Sequence, residues 1–538
     1  PPSAGQDQPP LGQCIEQDLL RLASELLQVA ENRLTLDRSL ADFGFDSINL
    51  AAFAAALTRF YGVEVLPVVF FGYPTLERLA NYFAERHAVA MQSFYRSTSP
   101  ARQATNADAA PMAQAQAHAV ADDAIAVIGM SGRFPAARSI DEMWAILAEG
   151  RSVVTTAPAN REGGWAGFVG RCGFAPGVGE FDPLFFEISP READYMDPRQ
   201  RLLLVEAWKA LEDAGDGPTQ LAARCVGTFV GVEEGDYQRL AAQHSAESEA
   251  SITSNHNGIL AGRLAYFLNL SGPTLALNTA CSSGLVALHQ ACQSLRNQEC
   301  DTAIVAATHL LLTPHGYREM NQAGMLSPDG MCYAFDERAN GMAPGEAVVV
   351  LVLKRAAQAQ LDNDRVHALV VGSGINSDGR TNGITAPNGV AQARLIESVY
   401  RKYRINPDHI GHVLAHGTGT KLGDPVEVNA LIQSFRAFTQ RVGYCALTSV
   451  KPNFGHTLAA SGLLSVVCMV EAMRHETIPA SLNWAHSNPL VQWQDSPFFV
   501  NNQKRHWPRQ QLPHKRLGTV SAFGMSGTNA HVVLQEPV

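Results

Sequence analysis

The segment Leu275-Ala-Leu-Asn-Thr-Ala-Cys-Ser-Ser-Gly-Leu-Val-Ala-Leu-His289 joins a short apolar run, a turn of small residues and an apolar helical pattern. This order predicts a strand that enters a tight turn and leaves it as a helix. We expect Cys281 at or near the N-terminus of that helix, where the helix dipole favours the thiolate over the thiol. A buried structural cysteine is the alternative, and it is the expected state of Cys292 and Cys300. The small residues after Cys281 leave space for a substrate and so favour a nucleophile.

Two further glycine-rich stretches each contain a histidine. They are Val413-Leu-Ala-His-Gly-Thr-Gly-Thr-Lys-Leu-Gly-Asp-Pro425 and Ser449-Val-Lys-Pro-Asn-Phe-Gly-His-Thr-Leu-Ala-Ala-Ser-Gly462. A single histidine is more often a satisfied core residue than a catalyst. His416 and His456, each in a glycine loop after a predicted strand, together with Cys281 predict a site of nucleophilic catalysis.

Two other chemistries fit the sequence poorly. His412 and His416 are four residues apart, but they lack the Glu of a zinc-protease helix and fall on an apolar strand, so no metal site is expected. A serine hydrolase is disfavoured because no Gly-x-Ser-x-Gly motif lies near a predicted strand end.

Beyond residue 124, short β-branched runs alternate with helical patterns. This alternation predicts an α/β fold whose buried strands are continuous apolar runs. Ser283-Gly-Leu-Val and Ser461-Gly-Leu-Leu both lead into apolar helices. The sequence alone favours a common helix opening here, and a duplicated α/β unit whose halves each present a helix start to one site is the alternative. The clearest predicted strands are 125–128, 226–232, 302–306, 348–353, 368–371 and 531–534.

Residues 13–90 differ in texture, with leucines at helical spacing and a second predicted helix over 48–61. Ser47 stands beside Asp46 at a loop-to-helix junction, where its hydroxyl would be exposed at the positive end of the helix. A structural N-cap is the alternative. The segment is acidic, with six Arg, no Lys and ten Asp plus Glu. Residues 97–121, rich in Ala, Gln, Ser and Thr, predict a flexible tether.

Composition narrows the function classes. The 538 residues allow several domains, and 41 Lys plus Arg against 51 Asp plus Glu give a net charge of −10. This balance argues against a protein that binds nucleic-acid phosphates. The longest central apolar run, 347–353, is about a third of the ~20 residues of a membrane span, and no leader opens the chain. Nine scattered cysteines indicate a reducing cytoplasm, and a start at Pro1 without Met indicates a fragment of a longer protein.

The N-terminal segment resembles an acyl carrier protein. The resemblance rests on Leu40-Ala-Asp-Phe-Gly-Phe-Asp-Ser-Ile-Asn-Leu50 and on Phe70-Phe-Gly-Tyr-Pro-Thr-Leu76. It implies a small all-α four-helix domain and 4′-phosphopantetheine attached to Ser47. A flexible arm on a small mobile domain raises the effective concentration of its thioester at a neighbouring active site.

The rest of the chain resembles a ketosynthase of modular polyketide synthases. The resemblance runs from Ile125-Ala-Val-Ile-Gly-Met-Ser-Gly-Arg-Phe-Pro135 to Ser521-Ala-Phe-Gly-Met-Ser-Gly-Thr-Asn-Ala-His531. It implies a thiolase-like, duplicated α/β fold that forms a homodimer. The two resemblances together imply a carrier domain over 13–90, a linker over 91–122 and a ketosynthase over 123–538. Four motifs lie between the end points: Phe181-Asp-Pro-Leu-Phe-Phe186, Met196-Asp-Pro-Arg-Gln-Arg201, Phe335-Asp-Glu-Arg-Ala-Asn-Gly341 and Asn382-Gly-Ile-Thr-Ala-Pro-Asn388.

The resemblance implies decarboxylative Claisen condensation. Cys281 would take the acyl chain from a carrier thiol, and a malonyl extender on a second carrier would lose carbon dioxide. His416 and His456 would stabilise the resulting enolate, which attacks the acyl-cysteine to give a β-ketoacyl thioester.

Supporting roles also follow from the resemblance. Lys451 and Glu346 would partner the histidines, and an ordinary buried ion pair is the alternative for these two residues. The tetrahedral oxyanion would be held by backbone N–H groups of Cys281 and of the Phe523-Gly524 loop.

Four positions depart from the usual pattern of the family. Because none removes a catalytic group, elongation is the leading hypothesis, and a gatekeeper that transfers the chain unextended is the alternative. A non-catalytic interaction unit is disfavoured by the intact cysteine and histidines. No acyltransferase is visible, so the implied partners are a separate acyltransferase, as in the trans-acyltransferase type, and the chain's own and downstream carrier proteins. The departures are Asn278, Tyr333, Leu414 and Leu458.

Overall fold

The computed structural model describes residues 11–96 apart from 28–30, 44 and 46, and residues 124–537 apart from 160, 162, 245–251 and 510–514. The chain divides into two compact units. One comprises residues 1–116 with 378–391, and the other comprises 117–377 with 392–538. The predicted tether over 97–121 lies outside the described residues.

The small unit is helical, as the sequence predicts. The helix Leu76–Arg86 is N-capped by Thr75, whose hydroxyl accepts a hydrogen bond from the Arg78 amide at 3.2 Å. Its core is aromatic, with Phe53, Phe70 and Phe83 fully buried. The last helix covers the start of the predicted linker, whose bounds stay a prediction. The helices are α1 Leu11–Leu27, α2 Ser47–Tyr61, α3 Val69–Gly72, α4 Leu76–Arg86 and α5 Ala88–Arg96.

The large unit is built on an eleven-stranded sheet. Its central strands are buried along nearly their whole length, which explains their continuous apolar runs. The strands are β1 Ile125–Arg133, β2 Val154–Thr156, β3 Arg171–Gly173, β4 Val226–Val232, β5 Thr274–Leu277, β6 Thr302–His309, β7 Ala347–Arg355, β8 Ala368–Ser377, β9 Ile410–Leu414, β10 Cys445–Thr448, β11 Thr477–Ile478, β12 Phe498–Val500, β13 Arg505–His506, β14 Leu517–Phe523 and β15 Thr528–Gln535.

The described residues of the large unit also form fourteen α-helices. They are α6 Ile140–Ala148, α7 Pro190–Tyr195, α8 Pro198–Ala214, α9 Pro218–Ala222, α10 Tyr237–His244, α11 Ile252–Asn255, α12 Asn257–Phe267, α13 Ser283–Arg296, α14 His315–Gln322, α15 Ala356–Leu361, α16 Gly389–Lys402, α17 Gly423–Arg436, α18 Lys451–Phe454 and α19 Ser461–Arg474. No helix in this part of the chain is long and apolar enough to cross a membrane.

The sheet contains the same arrangement twice. From one edge to the centre, the first half has the strand order β5-β4-β6-β7-β1. From the centre outward, the second half has the corresponding strands in the reverse order, β8-β15-β14-β9-β10, and β12 lies at the far edge. In each half the three outer strands of this set are parallel to one another and the remaining pairings are antiparallel. The predicted duplicated α/β fold is confirmed.

The similarity between the two Ser-Gly-Leu stretches belongs to this duplication. Helices α13 and α19 are both 14 residues long and follow β5 and β10. A Cβ on Gly284 would lie 3.2 Å from Leu463 Cγ, and a Cβ on Gly462 would lie 2.6 Å from Leu285 Cγ. Each glycine therefore admits the leucine of the other helix. The simpler interpretation, a common helix opening without further meaning, is wrong.

Candidate active site

Cys281 lies on a tight turn between β5 and α13. Ala280 before it has a φ of 55°, in the left-handed region that residues with a Cβ seldom occupy. Ser283 closes the turn, because its hydroxyl accepts from the Thr279 amide at 2.9 Å and donates to the Ala280 carbonyl at 2.6 Å. The sulfur side chain is thereby held just before the first turn of α13.

The surroundings of Cys281 are apolar, and this changes its acidity. Its side chain is buried with those of Leu326, Met342 and Leu458. Burial raises the pKa of the thiol to about 12, and the nearby carboxyl of Glu233 adds to the rise. Desolvation thus acts against the effect that the sequence predicts for the helix N-terminus, and it favours the thiol over the thiolate.

The two predicted histidines meet beside each other. Their ring centroids are 5.2 Å apart with the planes at 83°, and both side chains are buried. Burial, followed by the charge of Lys451, holds the pKa of His416 and of His456 well below the ordinary value. His456 Nδ1 accepts a hydrogen bond from the Leu458 amide at 3.2 Å. The proton of this neutral imidazole is therefore on Nε2, which is a donor.

Lys451 and Glu427 hold the loop that carries His416. The ammonium of Lys451 donates a hydrogen bond to the His416 carbonyl. The Glu427 carboxylate accepts from the amides of His416 at 2.7 Å and Gly417 at 2.8 Å. Burial lowers the pKa of Lys451, whereas Glu427 acts to raise it. Glu427 was missed at the level of sequence, although its place in the first turns of the helix after the glycine loop is a usable signal.

Glu346 stands elsewhere than predicted. Its carboxylate accepts from the amides of Leu311 at 2.8 Å and Ala175 at 2.9 Å and forms an ion pair with Arg161. These partners are neither His416 nor His456, as predicted, nor Lys451, as in the alternative of a buried ion pair between the two residues. Glu427 is the acidic neighbour of the lysine. Glu346 is a buried ion-pair partner that joins three backbone segments.

The Phe523-Gly524 loop reaches the site, and the amide that interacts with the sulfur belongs to the next residue, Met525. The Phe523 ring lies 5.8 Å from the His416 ring. The amide of Gly524 is already used, since it donates to the Thr528 carbonyl at 2.8 Å. The backbone N–H of Met525 interacts with the Cys281 sulfur and lowers its pKa, as does the N–H of Cys281 itself. These two amides are the candidate oxyanion donors.

The remaining predicted site residue belongs to the small unit. Helix α2 begins at Ser47, and the structure describes only the backbone of this residue. A phosphodiester attached at the first residue of a helix lies at the positive end of the helix dipole, so the position suits the predicted arm. Gly44 and Asp46 lie outside the described residues.

Comparisons with known proteins agree on both units. Residues 122–359 match the model of the β-ketoacyl synthase N-terminal domain, residues 367–485 match the C-terminal domain, and residues 17–83 match the phosphopantetheine attachment site. Polyketide synthase ThaG of Burkholderia thailandensis is 44% identical over 96% of this chain and 10% of its own length. Polyketide synthase PksM of Bacillus subtilis is 42% identical over 97% of this chain and 12% of its own length. The chain thus spans about a tenth of the length of these relatives.

Solved structures of ketosynthases are also similar to this chain. The ketosynthase from module 6 of the bacillaene synthase of Bacillus subtilis 168 is 42% identical, with a TM-score of 0.72 over 77% of this chain and 72% of that chain. The oxazolomycin ketosynthase domain OzmH KS7 of Streptomyces albus is 34% identical, with a TM-score of 0.73 over 77% and 76%.

Proposed function

Because this chain belongs to the polyketide synthases, as a phosphopantetheine carrier domain followed by an acyl-transferring, condensing ketosynthase, we propose that it elongates a polyketide chain. Cys281 accepts the acyl chain, and a malonyl-carrier enolate extends it to a β-ketoacyl thioester. The observation that supports this proposal most directly is the pair of neutral imidazoles, one with its proton on Nε2. The Phe523-Gly524 loop connects them to the sulfur, because Phe523 packs against His416 and the Met525 amide interacts with Cys281.

In the loading step the Cys281 sulfur attacks the carbonyl carbon of the incoming thioester. The new carbon–sulfur bond replaces the bond to the carrier thiol, which leaves with the proton that Cys281 loses. The N–H groups of Cys281 and Met525 stabilise the tetrahedral oxyanion. Because burial favours the protonated thiol, the sulfur loses its proton as it attacks the donor.

In the condensing step the malonyl thioester loses carbon dioxide, and the electrons of the broken carbon–carbon bond form an enolate. The Nε2–H group of His456 donates to the enolate oxygen, and His416 lies beside it. The enolate carbon then attacks the acyl carbonyl on Cys281 and releases the sulfur. Lys451 and Glu427 act as positioning residues, since they hold the His416 backbone from both sides.

The competing proposal is transfer without extension. Incubation with an acyl donor and malonyl-carrier separates the two, because elongation releases one carbon dioxide per chain and leaves a β-ketoacyl carrier. Transfer leaves the unextended acyl group on the carrier and releases none. Cys281→Ala should end loading, whereas Cys292→Ala, a buried cysteine on the same helix α13, should load normally. Loading of the Cys281→Ala protein would contradict the nucleophile assignment.

We also propose Ser47 as the attachment point of the arm, within a carrier domain over 13–90. A phosphopantetheinyl transferase with coenzyme A should add one arm mass, and Ser47→Ala should abolish the addition. Ser93→Ala, on an exposed position of α5, is the matched control. Modification of the Ser47→Ala protein would refute this site.

The partners and setting extend the same proposal. Strand β5 is at the edge of the sheet, with Leu275 42% exposed, and Tyr266 on the preceding helix is 88% exposed. Such an apolar edge suits pairing with a second copy of the chain. We propose a homodimer that works in the cytoplasm with a separate acyltransferase and a downstream carrier. The nine cysteines, scattered along the sequence without paired spacing, support this compartment. Light scattering should give twice the chain mass, and Leu275→Asp should halve it.

A further inference from the structure

Three neighbouring parallel strands of the first half end at one edge of the sheet. Cys281 follows β5, Glu233 follows β4, and His309 is the last residue of β6. The carboxyl ends of parallel strands are where α/β folds bind their ligands. Only Cys281 of these three residues has a part in the mechanism described above.

Glu233 and His309 form a buried pair. Glu233 Oε2 lies 3.5 Å from His309 Nδ1, and the two side chains are 16% and 8% exposed. Burial raises the pKa of Glu233 to about 7 and lowers that of His309 to about 3, so the imidazole is neutral.

The pair faces the reacting groups. The carboxyl of Glu233 interacts electrostatically with the Cys281 thiol, and the His309 ring interacts with His456. Both partners of the pair therefore lie at the same end of the sheet as the sulfur and close enough to the reacting groups to interact with them.

One polar atom of the pair has nothing to bind. His309 Nε2 is buried and has no hydrogen-bond partner in the part of the chain that the structure describes. A buried polar nitrogen without a partner costs free energy unless a ligand supplies the missing bond. A hydroxyl group satisfies either tautomer of the ring, because it can both donate and accept.

We propose that Glu233 and His309 select acyl chains that carry a hydroxyl group on carbon 3. This inference rests on the proposed loading of Cys281. Condensation leaves an oxygen on carbon 3 of its product, so the oxygen nearest to the thioester of an incoming chain is at that position. The reaction that supplies this substrate is then the reduction of a 3-oxoacyl thioester to the alcohol.

A competition experiment tests the proposal. The full chain is mixed with equal amounts of the N-acetylcysteamine thioesters of 3-hydroxybutyrate and butyrate, and the acyl group on Cys281 is identified by intact mass. We expect a preference of roughly 10-fold to 100-fold for the hydroxyacyl group, the size expected when a buried polar group is otherwise unpaired. His309→Phe should abolish the preference by slowing only hydroxyacyl loading. His289→Gln, a half-buried histidine on α13 outside the site, should retain it.

The outcomes are distinguishable. Equal loading of the two acyl groups by the unaltered protein overturns the selection but leaves the proposed function intact. Loading of neither overturns the proposed function and the selection with it. Should His309→Phe lower the melting temperature markedly, Glu233→Gln gives a second reading, and an unchanged preference in that folded variant would also refute the pair as the selecting element.

Discussion

The two halves of the large unit have the same strand order but contribute different chemistry. Glu233 lies two residues beyond the last residue of β4 that pairs with β5. His416 lies two residues beyond the last residue of β9 that pairs with β10. The first half supplies the sulfur, whereas the second half supplies both imidazoles and Lys451. Equivalent backbone positions therefore carry a carboxyl group in one half and an imidazole in the other.

This difference shows where the fold and the chemistry are each encoded. The reciprocal contacts of Gly284 with Leu463 and of Gly462 with Leu285 require the same residues in both halves. The strand ends face the site rather than the paired helices, so packing does not require them to match. Side chains at the strand ends can thus diverge while the duplicated core persists.

The largest expected effect is on decarboxylation, which depends on the histidines of the second half and not on the sulfur of the first half. His456→Ala should lower the release of carbon dioxide from malonyl-carrier by about 10³-fold, because it removes a preorganised donor to the enolate oxygen. Acylation of Cys281, measured by intact mass, should persist because its oxyanion donors are backbone amides. A parallel loss of loading and decarboxylation would contradict this division of roles.

The next effect concerns the contact between the halves. A Cβ at Gly524 would lie 2.2 Å from the Thr279 carbonyl oxygen and 2.8 Å from Ser282 Oγ. Gly524→Ala should therefore displace the cysteine turn and slow acylation by roughly 100-fold. Gly262→Ala on α12, where no atom lies within 4 Å of the new Cβ, should load normally and gain up to ~1 kcal/mol of stability. Normal loading by the Gly524→Ala protein would show that the close approach is not required.

A smaller effect comes from a buried imidazole at a position where the first half has a phenylalanine. His412 on β9 corresponds by strand pairing to Phe229 on β4. Burial lowers the pKa of His412 to about 3, so below pH 6.5 the unfolded chain binds a proton that the folded chain refuses. The contribution of this group to the free energy of unfolding is therefore complete above pH 6.5 and is about 2 kcal/mol smaller at pH 5.

His412→Phe should remove that part of the acid sensitivity. The measurement is denaturant unfolding at pH 7 and pH 5 for both proteins, compared as the difference between the two pH values. Loss of the 2.7 Å hydrogen bond to Thr448 lowers stability equally at both pH values and so cancels. An unchanged pH difference would mean that His412 is protonated in the folded state.

The smallest effect compares the two helix starts. Ser283 makes two hydrogen bonds within the cysteine turn, at 2.9 and 2.6 Å, whereas Ser461 donates one at 3.3 Å to the Cys281 carbonyl. Ser283→Ala should cost about 1–2 kcal/mol of unfolding free energy and Ser461→Ala less than about 1 kcal/mol. Equal costs would indicate that the turn is held by its backbone alone.

Much of the site follows from local sequence. The apolar run before Cys281, the small residues after it and the glycines around His416 specify a strand, a turn and a helix through short-range sterics. The family resemblance adds the partnership of the three stretches. Ser47 at the start of a helix is a local feature of the same kind.

The sequence alone therefore determined the α/β class, the nucleophile turn and the two histidine loops, because each depends on residues within a few positions of one another. The tertiary structure decided which glutamate lies beside Lys451, which amide interacts with the sulfur, and that burial favours the thiol of Cys281. Those outcomes depend on desolvation and on contacts between segments that are separated in the sequence, which no local pattern records.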